Sequence, residues 1–366
     1  MANNNERDWL ILGIECTAHT IGASIIDSNA KILSNHNISM KSNDSGLIPV
    51  EIMEHHASNI KNIILESLIR SEKSIDDITH IAVSNSPGMG HALRVGNIMT
   101  KALSFSKQIP IIPVNHSLAH LTTGIVLYPP NTNITLLYAA GANTQLWNLS
   151  ENRLMMVGET LDMGIGHLLD ICARTIGYGF PGGPIIEELA SRHDGSLIEL
   201  PYSIKGMDVS YGGISTSYKN KASKIIGDYN DSKISIDEKD IMLNALCYSL
   251  QEHAYGVLIE ATERAMALQE SLGLSVIGGV ALNKRFLEMA NIMCSDRNAS
   301  IIIPNKELLA DNAGMIALEG LRMLYSGYKP MVHDYNNSLR IDPYERLPRI
   351  TDYHRLNSVS LQHSSS

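Results

Sequence analysis

Two histidines four residues apart, His116 and His120 in the stretch Val114-Asn115-His116-Ser117-Leu118-Ala119-His120, are the side chains of this sequence best placed for chemistry. On a helix that spacing puts both imidazoles on one face, within reach of a single metal ion. A histidine pair alone also suits a purely structural helix, so a third donor matters. Asp311 stands just before an apolar stretch, 313–325, that reads as a helix. As a lone residue its first reading is a cap for that helix, and its second is a candidate third ligand beside His116 and His120. Two imidazoles and one carboxylate leave coordination positions open for substrate, as a catalytic site requires. Iron and zinc both accept such donors. Ser117 occupies the position where zinc peptidases with this spacing carry their general-base glutamate, so the pair gives no support to peptidase chemistry.

The elements that must carry these donors follow from the apolar pattern. The run 109–114 is short, β-branched and apolar, and reads as a buried strand delivering His116 at its C-terminal end. Open α/β sheets keep their ligands at such ends. Upstream, strands are expected over 9–14, 20–27 and 31–39, then a helix over 50–70, a strand over 78–83 and a helix from about His91. The turn after the first strand, Glu15 to Thr20, is polar and bears hydroxyls; it could offer donors to a phosphate. Beyond the loop at Tyr128-Pro129-Pro130 the opening pattern returns, with strands over 134–140, 144–149 and 153–158. Two copies of a meander followed by helices constitute an architectural repeat. This is the plan of an α/β fold of the actin-like ATPase/sugar-kinase (ASKHA) class, with two hairpins facing a nucleotide. Further on, a helix carries Asp170 and Arg174 at ion-pair spacing, residues 191–235 read as polar and irregular, and 238–269 reads as helical. A strand ending at Gly278-Gly279 leads to Asn283, and glycines there let a base or ribose approach the backbone. The expected domains are 1–128 with the histidines, 129–310 with the nucleotide site, a helix and extension 311–345 returning towards the first domain, and a flexible tail 346–366.

Composition narrows the function classes. The chain has 366 residues, enough for two domains, and a net charge of −9. Aromatics are scarce at 5%, so base-stacking platforms are few. Four scattered cysteines without a Cys-x-x-Cys pair fit a reducing compartment. The polar start, Met1 to Asp8, lacks a signal core, and no apolar run is long enough for a membrane, so a cytoplasmic protein is expected.

Taken in order, several short motifs resemble one family. They are Gly13-Ile14-Glu15 with Thr17-Ala18-His19-Thr20, Pro87-Gly88 with Leu93-Arg94-Val95-Gly96, the His116/His120 pair, and Asn143-Thr144-Gln145. Then come Gly158-Glu159-Thr160-Leu161-Asp162, Pro181-Gly182-Gly183-Pro184, Lys205-Gly206-Met207-Asp208, Gly278-Gly279-Val280-Ala281 with Asn283, and Asp311-Asn312. Between about Leu10 and Asp342 the chain thus resembles the tRNA N6-adenosine threonylcarbamoyltransferase family, formerly called O-sialoglycoprotein endopeptidases. Its archaeal and eukaryotic branch, the catalytic subunit of KEOPS, is the most similar. The resemblance implies transfer of threonylcarbamoyl from threonylcarbamoyl-AMP to the exocyclic amine of adenosine at position thirty-seven of tRNAs reading ANN codons, releasing AMP. It implies metal ligands at His116, His120 and Asp311, with Tyr138 as an additional contact. It implies nucleotide contacts at Tyr138, Ala139, Ala140, Gly141, Ala142, Asp170, Gly183, Glu187 and Asn283. Implied cofactors are one divalent ion, iron or zinc, and an adenine nucleotide (threonylcarbamoyl-AMP, AMP or ATP). Implied partners are tRNA, a kinase-like subunit, its regulator and a small dimerising subunit, with no membrane.

The chain departs from the family pattern near the nucleotide. Ala140-Gly141-Ala142 replaces a serine-led hairpin, His167 stands at a usual asparagine, and Tyr211-Gly212-Gly213 replaces Phe-Ser-Gly. Two alternatives therefore stay open: a slow or inactive paralogue serving as a binding subunit, and a small-molecule kinase or carbamoyltransferase of the same fold class.

The charge balance, 38 acidic against 29 basic side chains, gives a first prediction. RNA affinity grows with the number of phosphates neutralised and falls steeply with salt. The isolated chain is expected to bind tRNA weakly at near-physiological salt, and the assembled complex more tightly. Filter binding that shows equal, tight affinity for both would refute the charge argument.

Overall fold

The computed structural model describes residues 8–40, 48–129, 132–141, 144–333 and 339–356. The chain divides into two compact units, Met1–Pro130 with Ala310–Pro348 and Tyr353–Ser366, and Asn131–Leu309 with Arg349–Asp352.

The first unit starts with a meander of β1 (Leu10–Glu15), β2 (Thr20–Asp27) and β3 (Ile32–Ser39). It continues through α1 (Pro49–Arg70), β4 (His80–Ser86), α2 (Gly90–Lys107), β5 (Ile111–Asn115) and α3 (His116–Ile125). The sheet order is β3-β2-β1-β4-β5, antiparallel across the meander and parallel from β1 through β4 to β5. Strand β1 is covered on both faces, so its sequence is a nearly unbroken apolar run. Leu12 and Ile14 pack with Ile60, Ile63 and Ile64 of α1, while Ile11 joins a separate core on the opposite face.

The second unit repeats the plan. Its meander is β6 (Ile134–Ala139), β7 (Thr144–Ser150) and β8 (Arg153–Glu159), followed by α4 (Ile165–Thr175) and α5 (Gly182–Ala190). A small ribbon of β9 (Ile204–Lys205) and β10 (Asp208–Val209) precedes α6 (Gly212–Asn230) and α7 (Ile236–Leu268). Then come β11 (Gly273–Ile277), α8 (Lys284–Asp296) and β12 (Ser300–Ile302). The sheet order β12-β11-β6-β7-β8 matches β5-β4-β1-β2-β3 strand for strand and direction for direction. After this unit the chain returns to the first with α9 (Ala313–Tyr325), and β13 (Ile350–Asp352) adds an edge strand to β8 in the second.

Two expectations need correction. Residues 191–235 are not irregular throughout, because α6 occupies 212–230 and buries Ile214, Tyr218, Ala222 and Ile225. That narrow apolar stripe at helical spacing is hidden among Ser, Lys and Asn. The carboxylate of Asp162 receives the N–H groups of Tyr211 (3.0 Å) and Gly212 (2.7 Å) at the start of this helix. Burial alone would raise the pKa of Asp162, but these bonds and Ser210 outweigh it and lower it. Nor is 346–366 a free tail from its start. Ile350, Thr351 and Asp352 pair with Met155, Leu154 and Arg153. Tyr353 is fully buried, its hydroxyl 2.9 Å from Thr122 Oγ1 and its ring under the Arg322 guanidinium. Residues 357–366 lie outside the described residues.

Helix α9 lies against β1 and β2 and is buried along nearly all its length, which its sequence permits through small residues. A Cβ at Gly13 would come within 2.5 Å of the Ala313 carbonyl oxygen and 2.8 Å of Ala317 Cβ. One at Gly320 would come within 2.6 Å of Ala82 Cβ. The two glycines thus set how closely helix and sheet approach. Gly13→Val is expected to destabilise the first unit by about 1–3 kcal/mol, the usual cost of overpacking. Urea melts with an unchanged midpoint would contradict this packing.

Candidate metal centre

Helix α3 begins where β5 ends. The side chain of Asn115 accepts the Leu118 N–H at 3.1 Å, which fixes the first turn and leaves His116 and His120 one turn apart. Their rings meet edge to face with centroids 4.7 Å apart. At the start of α9 the capping role falls to Asn312, whose Oδ1 accepts the Met315 N–H at 3.0 Å. Asp311, expected as either cap or ligand, is therefore released to face the histidines. Its Oδ1 lies 3.5 Å from His116 Nε2 and 3.2 Å from His120 Nε2.

The donor atoms of His116, His120 and Asp311 all lie within 4.8 Å of one another, and no other such three-residue group occurs among the described residues. The spacing fits a metal. Ligands held at about 2.0–2.1 Å around a tetrahedral ion are separated by roughly 3.3 Å. The two N–O separations of 3.2 and 3.5 Å are of that size. Neutral imidazole and carboxylate are suitable donors for zinc and for iron.

Glu15 and Thr17 complete the surroundings. Glu15 is wholly buried at the C-terminal end of β1, and its Oε2 lies 3.1 Å from His116 Nδ1. Its Oε1 accepts the Thr17 N–H at 2.7 Å and also the Thr17 hydroxyl, which itself lies 3.2 Å from His116 Nδ1. A carboxylate on the far nitrogen of a ligating histidine fixes the tautomer and turns the other nitrogen towards the metal. In the Glu15–Thr20 turn, whose hydroxyls could have offered donors to a phosphate, Thr17 is bonded to Glu15 and lies against this histidine. Burial alone would lower the pKa of His116, but Glu15 and Asp311 outweigh it and raise it to about 10. Burial holds His120 below its ordinary value, with His116 adding to the effect against the pull of Asp311. Asp311, despite burial, is held well below the carboxylate range by the two histidines. Sequence reasoning missed the partnership of Glu15. The available signal was a carboxylate ending an otherwise apolar central strand.

The residues expected at the nucleotide belong to the second unit and lie at the C-terminal ends of β6 and β11 and on neighbouring helices. Tyr138 and Ala139 are buried on β6. Gly278, at φ +100°, packs so tightly that a Cβ would meet the Ala139 carbonyl oxygen at 2.4 Å. Ala140 and Gly141 follow β6, and the Gly141 carbonyl accepts the His167 N–H at 2.9 Å. Ala142 lies outside the described residues. Asp170 Oδ1 accepts the Gly182 N–H at 2.7 Å, tying α4 to the Gly182-Gly183 start of α5. The ion pair anticipated with Arg174 does not form within 4.0 Å among the described residues, although the Arg174 charge still pulls the Asp170 pKa down. Burial raises the pKa of Asp170, outweighing the Gly182 N–H and the nearby charges of His167 and Arg174. Glu187 Oε1 accepts the Lys284 N–H at 2.9 Å, and Asn283 caps α8 through Phe286 N–H at 2.9 Å while donating to Gln251 at 3.1 Å. Beside them a surface cleft of about 520 Å³ is lined by Pro184, Glu187, Gln251, Leu282 and Lys284, a size suited to a nucleoside.

Comparison with known proteins identifies the family and the fold. The family model described as TsaD, tRNA N6-adenosine threonylcarbamoyltransferase, matches residues 31–318. A protein of that name from Thermococcus sibiricus is 39% identical over 322 residues, covering 87% of this chain and 93% of its own. Another from Nanoarchaeum equitans is 38% identical over 327 residues, covering 89% and 98%. A probable bifunctional tRNA threonylcarbamoyladenosine biosynthesis protein from Methanospirillum hungatei is 38% identical over 317 residues, 87% of this chain but 56% of its own. Among solved structures, T. kodakarensis HypF aligns with TM-score 0.57 at 12% identity, covering 88% of this chain and 48% of its own. Component A of the Acidaminococcus fermentans (R)-2-hydroxyglutaryl-CoA dehydratase aligns with TM-score 0.50 at 12% identity, covering 87% and 99%. These two establish the fold alone: it is the actin-like ATPase/sugar-kinase class anticipated from the duplicated meander.

The raised pKa of His116 sets the sign of a pH dependence. Below about 10 the imidazole holds a proton that a ligated metal must displace. Metal affinity should therefore rise with pH between 6 and 9, by about one log unit per pH unit, with one proton released. Calorimetric titration with Zn²⁺ in buffers of different ionisation enthalpy measures that proton. A pH-independent affinity with no proton released would contradict the assignment.

Proposed function

The chain belongs to the tRNA N6-adenosine threonylcarbamoyltransferase family, and we propose that His116, His120 and Asp311 form the metal centre with which it makes threonylcarbamoyladenosine in tRNA. It is a transferase. In the reaction we assign, the exocyclic amine of adenosine at position thirty-seven attacks the carbamoyl carbon of threonylcarbamoyl-AMP. A nitrogen–carbon bond forms, the carbon–oxygen bond to phosphate breaks, AMP leaves with the bonding pair, and the amine sheds a proton. The observation that carries the reading is the convergence of two donors on α3 and one just before α9 on one point, in a chain whose family is established.

An adenine amine is a weak nucleophile and a carbamoyl carbonyl a poor electrophile. A divalent ion held by the trio would supply Lewis acidity towards that carbonyl. The chain's own residues prepare the site. Glu15 and Thr17 hold the His116 ring so that Nε2 faces Asp311. Burial of His120 keeps its imidazole neutral and so available as a donor. In the second unit, Tyr138, Ala139, Ala140, Gly141, Ala142, Asp170, Gly183, Glu187 and Asn283 are proposed to hold the adenine nucleotide. The Gly278 turn, at φ +100°, offers a close backbone approach. Ala140 lacks the hydroxyl donor usual at that place, so phosphate contacts would fall to backbone groups.

The kinase and inactive-paralogue readings are not favoured by the family match or by the intact donor set. Iron or zinc as the ion remains part of the proposal, as do KEOPS-type partners. The bifunctional relative, of which this chain matches 56%, supports association of this activity with further protein components. Among the described residues no helix is long and apolar enough to cross a membrane, and all four cysteines are free and buried; we propose the cytoplasm as its compartment.

The test supplies threonylcarbamoyl-AMP and unmodified tRNA, with partner subunits present, and follows modified tRNA and AMP together. Wild type is expected to produce both. His120→Ala and Asp311→Ala should lose transfer by at least about two orders of magnitude, the scale of several kcal/mol of electrostatic stabilisation. Undiminished transfer in either variant would refute the proposed centre, and ADP formed from ATP in place of AMP would point to a kinase.

A further inference from the structure

The first N–H groups of a helix have no helical carbonyl to reach. At the start of α9, three of them meet three asparagines. Asn37 Oδ1 accepts from Ala313 at 3.0 Å, Asn35 Oδ1 from Gly314 at 3.2 Å, and Asn312 Oδ1 from Met315 at 3.0 Å. The amides are also bonded to one another. Asn37 Nδ2 donates to Asn35 Oδ1 at 3.1 Å, and Asn35 Nδ2 donates to Asn312 Oδ1 at 3.4 Å. Asn312 Nδ2 closes the series on the Ala310 carbonyl at 2.8 Å.

Asn35 and Asn37 are two apart on β3 and so share a face of the strand. Room for the second amide comes from β2. Gly22 is the register partner of Asn37, and a Cβ there would lie 2.0 Å from Asn37 Oδ1. One capping residue, Asn312, is enough to start a helix. Two further asparagines on a neighbouring strand do something else: they pin the helix start to the sheet. Asp311 sits inside the pinned segment, between Ala310, whose carbonyl is bonded, and Asn312, which bonds it.

We infer that Asn35 and Asn37 are positioning residues of the metal centre, which fix the backbone that presents Asp311 to His116 and His120. This rests on the metal-centre reading above. Neither asparagine is one of the three donors. Their effect passes through the backbone of residues 310–314, and a ligand displaced by a fraction of an ångström loses geometry the metal demands.

The experiment uses the full chain stripped of metal by chelator, then titrated with Co²⁺. The d–d absorption reports coordination, and competition with a chromophoric chelator reports affinity. Asn35→Ala/Asn37→Ala should bind Co²⁺ about tenfold more weakly or worse, with an altered absorption band. Asn37→Asp keeps an acceptor for the Ala313 N–H, the bond that reaches α9, while giving up the donor to Asn35, and should bind Co²⁺ more tightly than Asn37→Ala. Ile60→Val, in the core of the same unit among the α1 contacts, should lower the melting temperature without moving affinity or band. A folded double variant with wild-type affinity and spectrum would overturn the inference. So would an affinity loss in Ile60→Val as large as in the double variant, because the effect would then be general destabilisation. If the double variant does not fold, Asn37→Ala against Asn37→Asp decides, and equal Co²⁺ affinity in those two would overturn the inference. Failure of wild type to bind Co²⁺ at all would overturn the metal-centre reading along with it.

Discussion

The buried carboxylate of Glu319 joins the helix that carries His116 and His120 to the helix that follows Asp311. It lies on α9, 1% exposed, and receives the Arg322 guanidinium through two bonds of 2.6 and 2.7 Å. The same carboxylate accepts the hydroxyl of Thr122 on α3 at 2.6 Å. Thr122 is two residues past His120, and Glu319 is two turns past Asp311, so this contact sets the distance between the helices below the site. A buried ion pair of this kind adds little net stability, because desolvation offsets its attraction. Its value here is directional: charge-assisted bonds at fixed angles hold α3 and α9 in one register, which apolar packing alone would leave free to slide.

Around that register each donor has its own support. His116 is turned by Glu15 from β1, Asp311 is held from β3, and the closeness of α9 to the sheet depends on Gly13 and Gly320. Every strand of the opening meander thus contributes to the metal centre, although none carries a donor. The duplicate meander in the second unit has the same strand order and directions with a different end use. There the strand ends and helix starts gather glycines, Asn283 and carboxylates that bond backbone N–H groups, and no group of three metal-donor side chains occurs there among the described residues.

Much of this could be read from the residues. The two meanders announce themselves because β1, β2 and β6 are apolar runs bounded by polar turns, and the structure places them within a residue or two of the expected limits. The histidine pair was legible because its spacing is local and helical. What could not be read depends on partners far apart in the chain. Glu15 meets His116 across 101 positions, and Asn37 meets Ala313 across 276. Local pattern carries no trace of such contacts. Asp311 and Asn312 are both competent caps, and only the tertiary fold decides that the asparagine caps and the aspartate faces the histidines. Helix α6 was missed for a different reason: its buried stripe is too thin to outweigh the polar residues around it. The early end assigned to the ordered chain followed from scarce apolar residues, whereas β13 is held by backbone pairing and Tyr353 by a single deep burial.

The first unit is interrupted in sequence by nearly all of the second, since α3 ends at Ile125 and α9 begins at Ala313. This has a consequence for synthesis on the ribosome, where the chain emerges from its N-terminus. When Asn131–Leu309 has been made, the second unit lacks only the edge strand β13 and can condense as a continuous segment. The first unit at that moment still has one face of its sheet bare, because the helix that covers Ile11, Ala82 and Ile112 has not been translated. Closing so long a loop is entropically slow, and the exposed apolar face must be shielded meanwhile. The first unit is therefore completed after the second, and His116 and His120 meet Asp311 only once Asn131–Leu309 has been made.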